Sequence, residues 1–277
     1  MTEHRTRKRF GQHFLHDRNL VDRMIRTLGL QAGDTLVEIG PGRGALTYPL
    51  LEEIPHLHVV ELDRDLIALL RQENTPDRLT IHESDALRFD YRPLNPADKP
   101  LRVIGNLPYN ISTPLIVHLL SMGSAIADMH FMLQKEVVER LAAEPGSTDW
   151  GRLSVMAQYY CQVDHLFIVP PEAFVPRPKV DSAIVRLTPH EHLPHTADDP
   201  TLLFELVKLA FGQRRKTLRN NLKGRVSADT LEALGIDPAR RPQTLTVAEY
   251  VAIANQVAAD EAASAVANGD TKGSDEA

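Results

Sequence analysis

With 277 residues and 43% hydrophobic content, the chain can build one large domain and a smaller one around a substantial core. No apolar run approaches the ~20 residues that span a bilayer, and the start "MTEHRTRKRFGQHFL" lacks a signal-peptide apolar segment, so no membrane association is expected and the cytoplasm is the expected location. Cys161 is the only cysteine, which excludes intramolecular disulfides and cysteine-based zinc sites; the formal net charge of −6 counts against a polyanionic partner only until its uneven spread is considered.

Arg5, Arg7, Lys8 and Arg9 form a first basic cluster. From Thr35 to about Leu133, short apolar runs alternate with helix-like stretches, the pattern of βα units and a mostly parallel sheet. The predicted strands are "TLVEIG" (35–40), "LHVVEL" (57–62), "LTIHES" (79–84), "LRVIGN" (101–106) and "MHFMLQ" (129–134). "ALTYPLLEEI" and "RDLIALLRQ" supply intervening helices, the second with apolar residues at helical spacing. "GRLSVMAQYYC" reads as a helix. Two later strands then flank the Pro-rich "VPPEAFVPRPKVD", the second being "SAIVRL", a pair suited to closing the sheet as an antiparallel edge.

"TPHEHLPHTADDPT" (188–201) has the composition of a linker; its His190, His192 and His195 lack supporting ligands, and no metal site is expected. Beyond it, "TLLFELVKLAFGQRRKTLRNNL" predicts a helix with Leu203, Leu206, Ala210 and Phe211 at helical spacing. Arg215, Arg219 and Lys223, at successive i,i+4 steps, would share another face. Thr246 and Glu249 fit a capping box that opens "VAEYVAIANQV". The expected organisation is an α/β domain over 1–188, a linker over 189–200, a small all-α domain over 201–258 and a disordered acidic tail over 259–277.

Glycines follow the first predicted strand in "EIGPGRGALT", where Gly40, Gly42 and Gly44 permit a tight turn and close approach of a ligand to the strand end. The spacing is G-x-G-x-G rather than the dinucleotide G-x-G-x-x-G, and packing of a β-to-α turn would also call for glycine. Glu61 ends the second strand, placed to accept bonds from both hydroxyls of a ribose, which leaves nicotinamide dinucleotides and S-adenosylmethionine (SAM) equally open. Asp85, after the third strand, suits either an adenine amino group or the N-cap of the next helix. The fourth strand runs into Asn106, Leu107, Pro108 and Tyr109: an amide, a rigid turn and an aromatic at one strand end.

The succession E-x-G-x-G, strand-end acid, "DA" and "NLPY" resembles the SAM-dependent N6-adenine methyltransferases. Within them, "RKRFGQHFL", "NLPYNIS", "MLQKEV", "GRLSV", "FVPRPKVDSA" and "QRRKTLRNNL" are similar to the small-subunit rRNA adenine dimethyltransferase family, from about Arg7 to Val257. The resemblance implies a Rossmann-like SAM-dependent methyltransferase fold with helices on both sheet faces and a small all-α C-terminal domain. It also implies N6,N6-dimethylation of two adjacent adenosines in a hairpin loop near the 3′ end of 16S rRNA, within an assembling 30S subunit; one catalytic domain with an RNA-facing appendage gives no reason to require a dimer, and a monomer is expected. By the same resemblance the cofactor contacts are His13, Leu15, Gly40, Gly42, Glu61, Leu62, Asp85, Ala86 and Asn106. The target adenine would meet Asn106, Leu107, Pro108, Tyr109 and Phe174, and RNA phosphates would meet Arg7, Lys8, Arg9, Arg177, Lys179, Arg214, Arg215, Lys216, Arg219 and Lys223.

The chemistry of "NLPY" agrees. An adenine N6 amine is a poor nucleophile because its lone pair is delocalised into the ring. Acceptors on the Asn106 side chain and on the Leu107 or Pro108 carbonyl favour a tetrahedral nitrogen aimed at a methyl donor, while Tyr109 stacks on the extruded base. Leu107 stands where DNA enzymes of this kind usually carry proline, which favours RNA. The other readings are a non-catalytic assembly checkpoint, a 23S rRNA methyltransferase and, further away, a nicotinamide oxidoreductase that leaves "NLPY" unexplained.

Overall fold

The computed structural model describes residues 14–94, 99–108 and 111–270, the last six as backbone only. Contacts divide the chain into two compact units: residues up to 142 with 160–191, and residues 143–159 with 192 onward.

In the first unit, β1 (Phe14–Leu15) leads into α1 (Arg18–Leu28), whose start is capped by Asp17 accepting from the Leu20 N–H at 3.2 Å. There follow β2 (Leu36–Ile39), α2 (Thr47–Glu53), β3 (Leu57–Glu61), α3 (Arg64–Glu73), β4 (Leu79–Glu83), β5 (Leu101–Asn106), α4 (Ser112–Leu120), β6 (Ile126–Gln134) and α5 (Lys135–Leu141). After α6 (Arg152–Tyr160), which belongs to the second unit up to Tyr159, the first unit is completed by β7 (Cys161–Val169), β8 (Phe174–Val175) and β9 (Ser182–Pro189). β2 to β6 are the five strands expected from the apolar runs. All four residues of β2 are buried, as a central parallel strand covered on both faces requires.

The seven-stranded sheet has the order β4-β3-β2-β5-β6-β9-β7, parallel from β4 to β6, with β9 and β7 antiparallel. The late pair therefore does close one side, with β9 inserted between β6 and β7. Chain order reverses between β2 and β5, and the crevice beyond their carboxyl ends is where open α/β sheets bind ligands. Sequence periodicity gave no sign of the separate two-stranded ribbon, in which Phe14 pairs with Val175 and Leu15 with Phe174.

The second unit contains α7 (Pro200–Ala210), α8 (Leu218–Asn221), α9 (Ala228–Ala233) and α10 (Val247–Asp270). Asp199 caps α7 through the Thr201 and Leu202 N–H groups, and the expected capping box closes reciprocally between Thr246 and Glu249. Three expectations change here. Residues 143–159, assigned to the first domain, belong with the helical unit: Arg214 donates to the Thr148 and Trp150 carbonyls, and the Gly146 N–H to the Gln243 carbonyl. The single helix expected across 201–222 breaks after Ala210 at a turn containing Gly212, and the Asn221 amide stabilises the break by donating to the Gln213 and Lys216 carbonyls. Arg215, Arg219 and Lys223 thus share no helical face. Finally, α10 continues to Asp270 where a tail was expected from 259, because the Ala-rich run has high helix propensity and Arg225 pairs with Glu261.

Candidate active site

A cavity of about 310 Å³ opens at the carboxyl ends of β2, β3, β4 and β5, at the point where strand order reverses. It is lined by Phe14 and Leu15, the loop from Glu38 to Gly42, Glu61 to Asp63, Ser84 to Leu87, and Asn106 to Pro108 with Ile111. Sequence-predicted residues from four strand ends and β1 therefore converge: Leu15, Gly40, Gly42, Glu61, Leu62, Asp85, Ala86, Asn106, Leu107 and Pro108. His13 and Tyr109 lie outside the described residues, as do Arg7, Lys8 and Arg9.

The glycine loop is shaped by packing as well as by the cavity. A Cβ at Gly44, whose φ is +84°, would stand 2.2 Å from the Tyr48 ring, which lies directly against the loop. At the far side, a Cβ on Gly105 would stand 2.7 Å from the Ile39 carbonyl oxygen and 2.9 Å from Leu107 Cδ2. Close approach of β5 to β2 thus depends on glycine immediately before Asn106.

Glu61 turns back on its own loop: Oε1 accepts from the Leu62 N–H at 2.8 Å and the Asp63 N–H at 2.9 Å. Burial raises its pKa against the opposing effect of those N–H groups. Among the described residues no α-helix directly follows Asp85, so the helix-capping alternative is not realised; Oδ1 instead accepts from the Leu87 N–H at 3.0 Å within a turn, and the residue lines the cavity. Leu62 lines the cavity and is 52% exposed, which leaves apolar surface open at the end of β3. Leu107 is buried, and its N–H is tied to the Met132 carbonyl on β6 at 3.2 Å; the Pro108 carbonyl accepts from the Ile111 N–H at 3.1 Å. Leu107 and Pro108 are therefore each tied down by a backbone hydrogen bond.

Phe174 departs from expectation. Its side chain is 3% exposed in the core cluster that includes Leu15, and it is absent from the cavity lining. Burying a whole aromatic ring under the β1–β8 ribbon is more favourable than exposing it, and the exposed neighbour is Val175. Arg43 and Gly105 are contributors that sequence reasoning passed over, and Glu38 entered it only as the first letter of E-x-G-x-G, with no role assigned. A lone acid inside the otherwise apolar "LVEI" was the available signal for Glu38, now 1% exposed and accepting from Thr47 Oγ1 at 2.6 Å.

Of the predicted basic residues, Arg177 is paired with Glu172 and Arg214 is committed to the Thr148 and Trp150 carbonyls. Arg215, Lys216, Arg219 and Lys223 are exposed and have no acidic partner among the described residues, and Lys179 is likewise exposed.

Residues 3–259 match the family model described as ribosomal RNA adenine dimethylase. The chain belongs to this family. It is 77% identical, over 92% of its length and 91% of the relative's, to a ribosomal RNA small subunit methyltransferase A from Alcanivorax borkumensis. A protein of the same description from Chromohalobacter salexigens is 62% identical over 92% of each chain. Among solved structures, a dimethyladenosine transferase from Plasmodium falciparum superposes with a TM-score of 0.77 at 25% identity, covering 90% of this chain and 98% of that one. Family membership makes SAM the methyl donor, and the cavity fits it: strand-end acids for ribose and adenine polar groups, an exposed leucine for the ring, and acidic charge for a cationic ligand.

Proposed function

We propose that this protein dimethylates N6 of two adjacent adenosines in a hairpin loop near the 3′ end of 16S rRNA, acting in the cytoplasm as a monomer on the assembling 30S subunit. The convergence of Glu61, Asp85 and Asn106 on one cavity at the switch point carries the reading, with the family relationship. Bound SAM supplies an electrophilic methyl group. Leu15, Gly40, Gly42, Leu62 and Ala86 shape its site, Glu61 accepts from ribose hydroxyls and Asp85 from the adenine amino group.

Asn106 ends β5 beside that site, and its side-chain oxygen and the Leu107 or Pro108 carbonyl accept the N–H bonds of the target amine, directing its lone pair. The methylated amine is acidic enough to lose its proton to water, so no general base is required. After the first transfer one N–H is gone, and one acceptor must lose its bond in the second. Arg215, Lys216, Arg219 and Lys223 supply phosphate contacts that position RNA without reading bases.

Mass spectrometry of 16S rRNA from 30S particles lacking the modification, incubated with protein and SAM, should show dimethyladenosine at two adjacent positions. No gain on adenosine would overturn catalysis and leave a particle-binding role. Asn106→Ala should reduce transfer by roughly 10²-fold or more, the scale of losing one oriented acceptor, while particle binding persists.

A further inference from the structure

Glu38 is the most deeply buried charged group of the pocket. It occupies the third position of β2, between Val37 and Ile39, and among the described residues its hydrogen bond comes from the fully buried Thr47 at the start of α2. No arginine, lysine or histidine pairs with it among the described residues. The groups around the same cavity are acidic as well: Glu61 and Asp63 at the end of β3, and Asp85 after β4. Arg43 is the one base among the described lining residues, and its guanidinium stacks 5.0 Å from the centre of the Phe14 ring. Tyr48, on α2 near Glu38, directs its hydroxyl to Glu73.

A buried carboxylate without a basic partner has two ways to avoid the cost of its charge: bind a proton or receive a cation. SAM carries a sulfonium and an amino group against one carboxylate, so it enters as a net cation. We propose that Glu38 is the proton-exchanging residue of the cofactor site, protonated in the cofactor-free protein and ionised when SAM is held, so that cofactor binding releases a proton to solvent.

Burial, opposed by the Thr47 hydrogen bond and reinforced by the charge of Glu61, pushes the Glu38 carboxyl up to about 8. The cofactor-free pocket is thus protonated at neutral pH. Linkage fixes the sign: binding that releases a proton tightens as pH rises, and levels off once Glu38 is ionised in the free protein.

The test is calorimetric titration of the full-length protein with SAM, in buffers of different ionisation enthalpy, for wild type and Glu38→Gln. The amino group of SAM titrates in both proteins, so the difference between them is what reads Glu38. At pH 7.5 the wild type should release roughly half a proton or more in excess of the variant, and its affinity relative to the variant should rise roughly 25-fold from pH 6.5 to 8.5. 5′-Methylthioadenosine, which lacks the sulfonium and the amino acid, should give no excess.

Thr47→Val provides an independent arm that retains the carboxylate. It removes the bond that favours ionisation, so the midpoint of the affinity rise should move to higher pH. Equal proton counts in wild type and Glu38→Gln, or an unmoved midpoint in Thr47→Val, overturn the role of Glu38 while leaving the cofactor assignment intact. No SAM binding by wild type at any pH would overturn both.

Discussion

Charged side chains gather at both ends of the seven-stranded sheet, and the two ends hold them in opposite ways. Beneath α1, toward the amino ends of the parallel strands, a ladder of charges crosses β5, β6, β9 and β7. Arg102 donates to Asp34 at 2.8 Å, to Asp128 at 2.7 Å and to the Leu28 carbonyl. Arg186 donates twice to Asp164, at 2.8 and 3.0 Å. At the carboxyl ends, Glu38, Glu61 and Asp85 surround a cavity with only Arg43 at its rim among the described residues. Acids whose charge is neutralised within the fold maintain architecture, whereas acids left without a base are available to a ligand. His130 also stands in the ladder: it is fully buried opposite Arg186, with Nδ1 3.7 Å from Asp128.

The sharpest way to break this contrast is Arg102→Ala. The Arg102 side chain is only 12% exposed, and its loss leaves two carboxylates and a carbonyl without their shared donor. Removing one partner from such a network typically costs about 3–5 kcal/mol, which urea denaturation would register while SAM affinity of the folded fraction stays within a few-fold. A loss below about 1 kcal/mol would show that water replaces the guanidinium and that the ladder is not structural.

Gly105→Ala tests the pocket end. Its new Cβ meets a backbone carbonyl at 2.7 Å, so β5 must move and Asn106 with it. Turnover should fall by roughly 10²-fold through misplacement of the reacting groups, with a much smaller change in SAM binding. Near-normal turnover would mean that the close approach of β5 to β2 does not position Asn106.

The rule about unpaired charge extends to the helical unit, where it predicts smaller effects. Arg215→Glu with Arg219→Glu should weaken binding to 30S particles and lower the slope of log affinity against log salt by roughly 1–2, since each phosphate contact contributes somewhat less than one. Reversal of Arg214, already bound to the Thr148 and Trp150 carbonyls, should instead destabilise the fold. An unchanged salt slope in the double variant would make Arg215 and Arg219 merely solvated surface.

How far these features could be read in advance follows from their range in the chain. β2 to β6 were legible because strands buried on both faces are continuous apolar runs. Glu61, Asp85 and Asn106 were legible because a parallel sheet presents its carboxyl ends together. The β1–β8 ribbon was not, as two-residue strands have no periodicity, and neither was the burial of Phe174, which depends on pairing across 159 residues between Leu15 and Phe174. Residues 143–159 join the helical unit through contacts with Arg214 and Gln243 that no local pattern announces. Glu38 was visible as the acid of E-x-G-x-G but was given no role, because its run reads as an ordinary apolar strand, although an acid in such a run has to be explained by a partner or a ligand.

The smallest effect is also the one that sets the two ends of the sheet against each other. Burial brings His130 down to about 4, with Asp128 opposing and Arg102 and Arg186 reinforcing. The unfolded chain therefore binds the extra proton between pH 4 and about 6.5, and this contribution to stability increases as pH rises through that window. Glu38, raised to about 8, acts with the other sign: the folded, cofactor-free protein holds the extra proton above about pH 4.5, and the contribution is lost as pH rises toward 8. Glu38→Gln removes only the second effect. In denaturation without SAM, the variant should gain stability over wild type between pH 6.5 and 8 by on the order of 1 kcal/mol. Saturating SAM should cancel that gain, because the cation then stabilises the wild-type carboxylate; a gain that persists with SAM bound would make Glu38 a purely structural acid, belonging with the paired end of the sheet.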